Sequence, residues 1–384
     1  MPETSYDRLA SLKQSSGKAS VVDHLVETFR REKNHHKLFD TLLLRKKLEM
    51  GLPLIRPTSL EDVPADRRDE FETAYIEAAR EVGKLFLADG NIGEAWLYLK
   101  TIREPQPVKD AISAITLPRD ADKVTDEVIQ IAVHEGANPV KGIELMLRHY
   151  GTCNTVTTLD QIAHTLPAAD RPKAAAVMVQ HLYNDLCYTV RSEVQKRIPM
   201  LPPNETLRSL IAGRDWLFGE GNYHIDVSHL HAVVRFARFL EPGAPELKLA
   251  IQLAEYGSKL SPQFQYGGDP PFEDYYPAHI QFFKALLGEN ADEALGYFRN
   301  KLEQEPDEQD KPMLAYVLTD LLVRTGRKAE AVELAAKYLS TVDESTGFSF
   351  TRLCVESNRL DLLRDSARDR GDLVGYAAAL LQQS

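Results

Sequence analysis

Cysteine is scarce in this 384-residue chain: Cys153, Cys187 and Cys354 are far apart, odd in number and in no C-x-x-C pair. Neither a disulfide framework nor a thiolate zinc site follows from such spacing, and the three read as reduced, packed thiols. Long apolar runs are missing as well. No stretch approaches the roughly 18 residues that a membrane helix needs, so no membrane span is expected. The first twenty residues are polar and mixed in charge, without the apolar core of a secretory signal or the arginine-rich character of a transit peptide, and a cytoplasmic location is the expectation. Basic stripes are also lacking. With 57 acidic and 46 basic residues the formal charge is -11, and no cationic tract is available to release counterions from a phosphate backbone, which excludes nucleic acid as an expected partner. Period-two alternation is almost absent, so strands are not predicted. Walker loops, dinucleotide glycine patterns, H-E-x-x-H helices and nucleophile elbows do not occur, leaving the familiar catalytic families unsupported.

What remains is helical and periodic. From Asp69 the chain reads as one helix, Ala88-Asp89-Gly90-Asn91 as a turn and Ile92 to about Arg103 as a second helix. Gly90 supplies the left-handed residue that ends the first helix, and Pro105 and Pro107 stop the second. The same order returns in Lys311 to Arg324, Thr325-Gly326-Arg327 and Lys328 to Leu339, where Ala315, Leu318, Leu322, Ala331, Leu334, Ala335 and Tyr338 fall at helical spacing. A third copy runs from Ile280 to Leu287, through Gly288-Glu289-Asn290, to Asp292–Glu303, closed by Pro306. Further hairpins are expected at 20–31 with 37–49, 125–134 with 140–149, and 353–367 with 372–382. Long helices are also expected at 171–197 and 227–240.

Gly83, Gly90, Ala95 and Pro107, Gly326 with Ala331, and Gly288 with Ala294, Phe298 and Pro306 stand where tetratricopeptide repeats carry their small residue, turn glycine, alanine and terminal proline. The chain resembles that family over about a third of its length, although the first-helix tryptophan is absent from all three units. The resemblance implies an all-α fold, an α-solenoid of stacked antiparallel helix hairpins with no significant sheet. Residues 1–50 are then an N-terminal hairpin or cap and 51–68 a proline-containing linker. Residues 69–260 form a helical repeat region, 261–276 an aromatic Gly/Pro loop, and 277–384 the C-terminal hairpins.

Polar and titratable residues crowd the middle of the chain. The run Gly213 to His231 contains Arg214, Trp216, Phe218, Glu220, Tyr223, His224, Asp226, His229 and His231. Asp226 is placed to cap a helix beginning at Val227 by accepting from the amides of Ser228 or His229. A capping aspartate beside polar histidines explains the string by itself. His-x-Asp-x-x-His spacing can also present two imidazoles and a carboxylate to one divalent metal, given a further donor such as His134, His149 or His181. His134 and His149 fall at helix C-termini, where histidine commonly complements the dipole. Cys153 with His149 as base is a weak nucleophile pair. On the long helix, His181, Asp185, Tyr188 and Ser192 form a polar stripe opposite Val179, Leu182, Leu186 and Val190, facing either solvent or a groove. Phe264, Tyr266, Phe272, Tyr275 and Tyr276 make the loop at 261–276 unusually aromatic, and they either fill a core or shape a pocket.

Two functions follow. The first is a binding module whose concave face takes a peptide, a protein or another ligand. The second is an enzyme acting on a small polar substrate, around a divalent metal held by His224, Asp226, His229, His134 and His149. Arg214 would clamp an anion there, and Glu220 or Glu273 would serve as general base.

Overall fold

The computed structural model describes residues 4–117, 119–198, 200–342 and 348–383, with the side chain of Glu220 left out. Among the described residues there are only helices: nineteen α-helices, five short 3-10 turns and no strand. No helix among them is long and apolar enough to cross a membrane. The chain separates into two compact units, residues 1–149 and 150–384.

In the first unit α1 (Ser5–Arg31) and α2 (His35–Glu49) pack as a pair, followed by α3 (Arg68–Ala88) with α4 (Ile92–Thr101), α5 (Gln106–Ser113), and α6 (Asp126–Val133) with α7 (Pro139–His149). α3 forms where it does because Asp69 and Glu70 stand in its first turn, favourable to the positive end of the helix dipole. It stops because Gly90 turns left-handed, at φ 82°. Phe71, Ala78, Ala79, Val82, Gly83 and Phe86 line its buried face, and Ile92, Ala95, Trp96 and Leu99 that of α4. At Gly83 a Cβ would stand 2.6 Å from Leu99 Cγ, so a glycine is what lets the two helices approach. The α1–α2 turn is tied to the α3–α4 turn through Asp89, which accepts from Lys33 Nζ at 2.6 Å and pairs with His35 Nε2 at 2.9 Å. Pro107 does more than end the preceding helix, since it lies in the first turn of α5.

The second unit contains α8 (Gly151–Ile162) and α9 (Arg171–Gln195), then α10 (Leu207–Ile211), α11 (Val227–Phe236) and α12 (Glu246–Ser258). α9 packs against α10, α11 and α12. Met178, Val179, Leu182, Leu186, Val190 and Val194 are fully buried along one of its faces, each contributing roughly 1.5–3 kcal/mol of transfer free energy. Asp185, Tyr188 and Ser192 on the other face are exposed, so the polar stripe faces solvent. The chain continues through α13 (Tyr275–Leu287), α14 (Ala291–Gln304), α15 (Lys311–Arg324), α16 (Lys328–Tyr338), α17 (Phe350–Glu356), α18 (Leu360–Asp369) and α19 (Leu373–Gln382), each packed on its neighbour in the chain wherever contacts are given. The single helix expected over 353–367 is two, because Asn358 turns left-handed at φ 54° and breaks it. α19 buries only Ala379 and leaves Leu373, Val374 and Leu381 more than 80% exposed.

Candidate functional site

The sequence-nominated residues of the second unit are mostly occupied in holding the fold. Asp226 caps α11 as expected, accepting from Ser228 N at 2.8 Å, Ser228 Oγ at 2.6 Å and His229 N at 3.4 Å. The Ser228 hydroxyl above all holds its carboxyl below the usual range, against the effect of burial. His224 is turned toward Tyr256. The tyrosine hydroxyl accepts from the His224 amide at 2.8 Å and lies 3.0 Å from Nδ1, and burial lowers the imidazole pKa. Arg214 Nη1 donates to the carbonyls of Ser209 and Leu210, both at 2.7 Å, closing the C-terminal turn of α10. Glu273 accepts from Lys301 Nζ at 2.5 Å. Burial works to raise its carboxyl pKa, but the lysine bond helps keep it lowered, which weakens it as a base. The side chain of Glu220 lies outside the described residues.

The metal reading draws on His224, Asp226 and His229 in the second unit and on His134 and His149 in the first. Among the described residues no three His, Cys, Asp or Glu side chains come together as a ligand set. In the second unit Asp226 Oδ1 is taken up by two amides and a hydroxyl, and His224 is held by Tyr256. His134 and His149, at the C-terminal ends of α6 and α7 in the first unit, are both exposed. His181, a further donor in that scheme, bonds Thr152 Oγ1 at 2.9 Å and Asp185 at 3.2 Å.

Of the loop aromatics Phe272, Tyr275 and Tyr276 pack as core, while Phe264 is half-buried and Tyr266 exposed. Phe272 and Tyr275 each lie against the His279 ring, at centroid separations of 4.4 and 4.3 Å, and His231 stacks on Tyr275 at 3.8 Å. His279 Nδ1 must be the protonated nitrogen, since it donates to the Tyr275 carbonyl at 2.7 Å. Burial first, and the neighbouring Arg238 charge second, push this imidazole down to about 3. His231 is lowered to about 4 by burial, with Arg235 and Arg238 adding to the effect.

Concave surface suited to a ligand lies in the first unit, on residues the sequence reading did not single out. A pocket of about 500 Å³ is lined by Leu60, Glu72, Tyr75, Ile76, Thr101, Ile102 and Arg103. A second, of about 200 Å³, is lined by His36, Tyr75, Ala79, Leu97, Tyr98 and Thr101. Tyr75 and Thr101 belong to both, so the two adjoin along α3 and α4. Apolar side chains stay accessible there, with Leu97 62% exposed. Polar chemistry is concentrated at one place: Tyr98 Oη lies 2.7 Å from His36 Nδ1, and His36 Nε2 lies 3.1 Å from Glu94. With Nε2–H directed at the carboxylate, Nδ1 accepts the phenolic proton. Burial chiefly, with the charges of Asp40 and Glu94, raises the Tyr98 pKa to about 12 and keeps that proton in place. In sequence, nothing separates Tyr75, Leu97 and Tyr98 from the core residues of the same two helices. A third pocket, of about 410 Å³ in the second unit, is lined by Arg208, Ile211, Ala212, Glu255, Ser258, Lys259 and Ile280 and contains none of the nominated residues.

Comparison with protein-family models, with curated proteins and with solved structures finds no match for this chain.

Proposed function

We propose that this chain is a helical-repeat binding protein, a tetratricopeptide-like solenoid of antiparallel hairpins, that takes an extended peptide segment of a partner in the groove along α3 and α4. The observation that carries the reading is the pair of adjoining pockets sharing Tyr75 and Thr101. Their walls are accessible apolar side chains with a few convergent polar groups, Tyr98, His36 and Glu72, the composition expected of a site that binds by burial and orients by hydrogen bonds. An extended segment suits two pockets in line better than a compact ligand does, because alternate side chains can enter each. Of the residues named for the enzymatic reading, Arg214 Nη1 closes a helix end, Asp226 caps α11 and Glu273 pairs with Lys301, which favours the binding reading.

The test is a random-peptide display selection on the full chain, followed by anisotropy titration of labelled peptides that enrich. Ile76 and Leu97 are exposed, so Ile76→Asp and Leu97→Asp should leave the fold intact and weaken binding about tenfold or more, the equivalent of ~1.4 kcal/mol. Failure to enrich any peptide, or enrichment indifferent to both substitutions, would remove the groove from consideration.

A further inference from the structure

Arg238 is a largely buried cation of the second unit with no counter-ion among the described residues. It follows α11 in the 3-10 turn Ala237–Phe239, seven residues after His231 and three after Arg235, so the three side chains share one face of the helix and its extension. Its guanidinium lies over the Phe272 ring, 4.8 Å from the centroid. No hydrogen bond or ion pair of that side chain occurs among the described residues. Asp160 pairs with the neighbouring Arg235 and Asp320 with Arg324 at 3.2 Å, while Asp269 makes no ion pair among the described residues. Arg324 in turn donates to the carbonyls of Arg238 and Leu240, so a second guanidinium approaches the same turn. Asp269 and Asp320 act on Arg238 only through space.

In a protein of net charge -11, Arg235, Arg238 and Arg324 meet on this face, and Arg238 makes no ion pair there among the described residues. Lying over Phe272, the guanidinium has a ring as neighbour and keeps N–H donors that no group among the described residues accepts, and a guanidinium can give two such donors to two oxygens of one anion side by side. Arg238 is partly exposed, so the side chain is reachable from solvent. A second observation points the same way. On the same face His231 Nε2 is buried without a hydrogen-bond partner, and so is the Nε2 of His279, whose ring also stacks on Phe272. A neutral His231 in its Nε2–H form holds a further donor that no group among the described residues satisfies. Tyr266, edge-on to His231 at 5.3 Å, and Phe272 form an apolar wall from the loop at 261–276.

We propose that Arg238, with His231 on the same helix face, is the receptor for a small oxyanion, a phosphate or carboxylate group, in the second unit. Arg238 contributes the charge and the paired N–H donors, and His231 Nε2 fixes orientation. A buried or half-buried charge without a partner is a cost to the fold, and replacing it by an apolar side chain of similar length should relieve that cost. This gives the proposal a sign that a purely structural arginine would not share.

The experiment compares thermal unfolding of the full chain and of Arg238→Met in chloride buffer, then with inorganic phosphate or acetate at matched ionic strength. In chloride, Arg238→Met should unfold at the same temperature as the native chain or higher. Added phosphate or acetate should raise the native midpoint by about 2 °C or more and leave Arg238→Met level with its chloride value. The His231 ring resonances should move on the same titration in the native chain alone. Response to phosphate only assigns the site to phosphate groups, and response to acetate only assigns it to carboxylates. If neither anion shifts the native midpoint beyond chloride, if Arg238→Met responds equally, or if Arg238→Met is strongly destabilised in chloride, the receptor assignment is wrong. None of these outcomes depends on the groove of the first unit.

Discussion

His279 shows how one side chain can be chemically quiet and still govern behaviour in acid. It is 1% exposed, its Nδ1–H is given to the Tyr275 carbonyl and its Nε2 has no partner, so the folded chain refuses a second proton until the pH reaches about 3. The unfolded chain accepts that proton near the ordinary imidazole value of about 6.5. Between those values acid favours the unfolded state, and stability rises with pH across the window. At pH 4.5 the loss from this residue is on the order of 2–3 kcal/mol. His279→Phe keeps a ring between Phe272 and Tyr275 and removes the titration. Its acid-unfolding midpoint should therefore move to lower pH, measured by circular dichroism, and an unchanged midpoint would show that other groups control the acid limb. Residue identity made the histidines visible in the sequence but not their roles. His224 faces Tyr256 rather than Asp226 because a hydroxyl 32 positions along the chain reaches it first, and no local spacing carries that information.

Helix pairs were the most legible part of the chain, and α3 with α4 shows why. A turn glycine, acidic residues in the first turn and two apolar stripes at a period of 3.6 all agree on the same boundaries, and the observed helices end within two residues of the expected positions. Gly83 adds the tertiary condition. Alanine there would improve helix propensity by about 1 kcal/mol, yet its Cβ would stand 2.6 Å from the branch carbon of Leu99, which is itself fully buried. The clash should win, with Gly83→Ala destabilising by about 1–3 kcal/mol in urea unfolding. A neutral or stabilising result would mean that α3 and α4 can separate without loss. Less legible was the stretch from 353 to 367, because Asn358 looks like any polar helix residue until its left-handed backbone breaks the element in two. The candidate groove was missed for the opposite reason. Its lining residues alternate with core residues on the same helices, and half-exposed tyrosines look the same in sequence whether they fill a core or border a pocket.

Across the whole chain, order of stability should follow burial rather than helix length. α9 buries eight residues along one face, while α1, the longest helix at 27 residues, buries only Val22 and Val26 and contains a non-helical Gly17. α19 buries only Ala379. Amide hydrogen exchange should accordingly be slowest in the α9 segment of the second unit, and fast in the first half of α1 and throughout α19. Slow exchange in α19 would mean that its apolar face is covered in solution. Sequence patterning alone could not rank these helices, since the face that packs is decided by which neighbours the chain brings to it.

Asp89 gives one more consequence. Placed in one turn and bonded to Lys33 and His35 at the preceding turn, it fastens two successive pairs at their loops, much as a hinge pin joins two leaves. A single residue inserted between Ala88 and Ile92 would leave every helix able to form yet carry that pin out of its socket. Descendants of this chain should therefore lengthen or shorten by entire pairs, and tolerate extra residues between pairs far better than inside the loops that join partners.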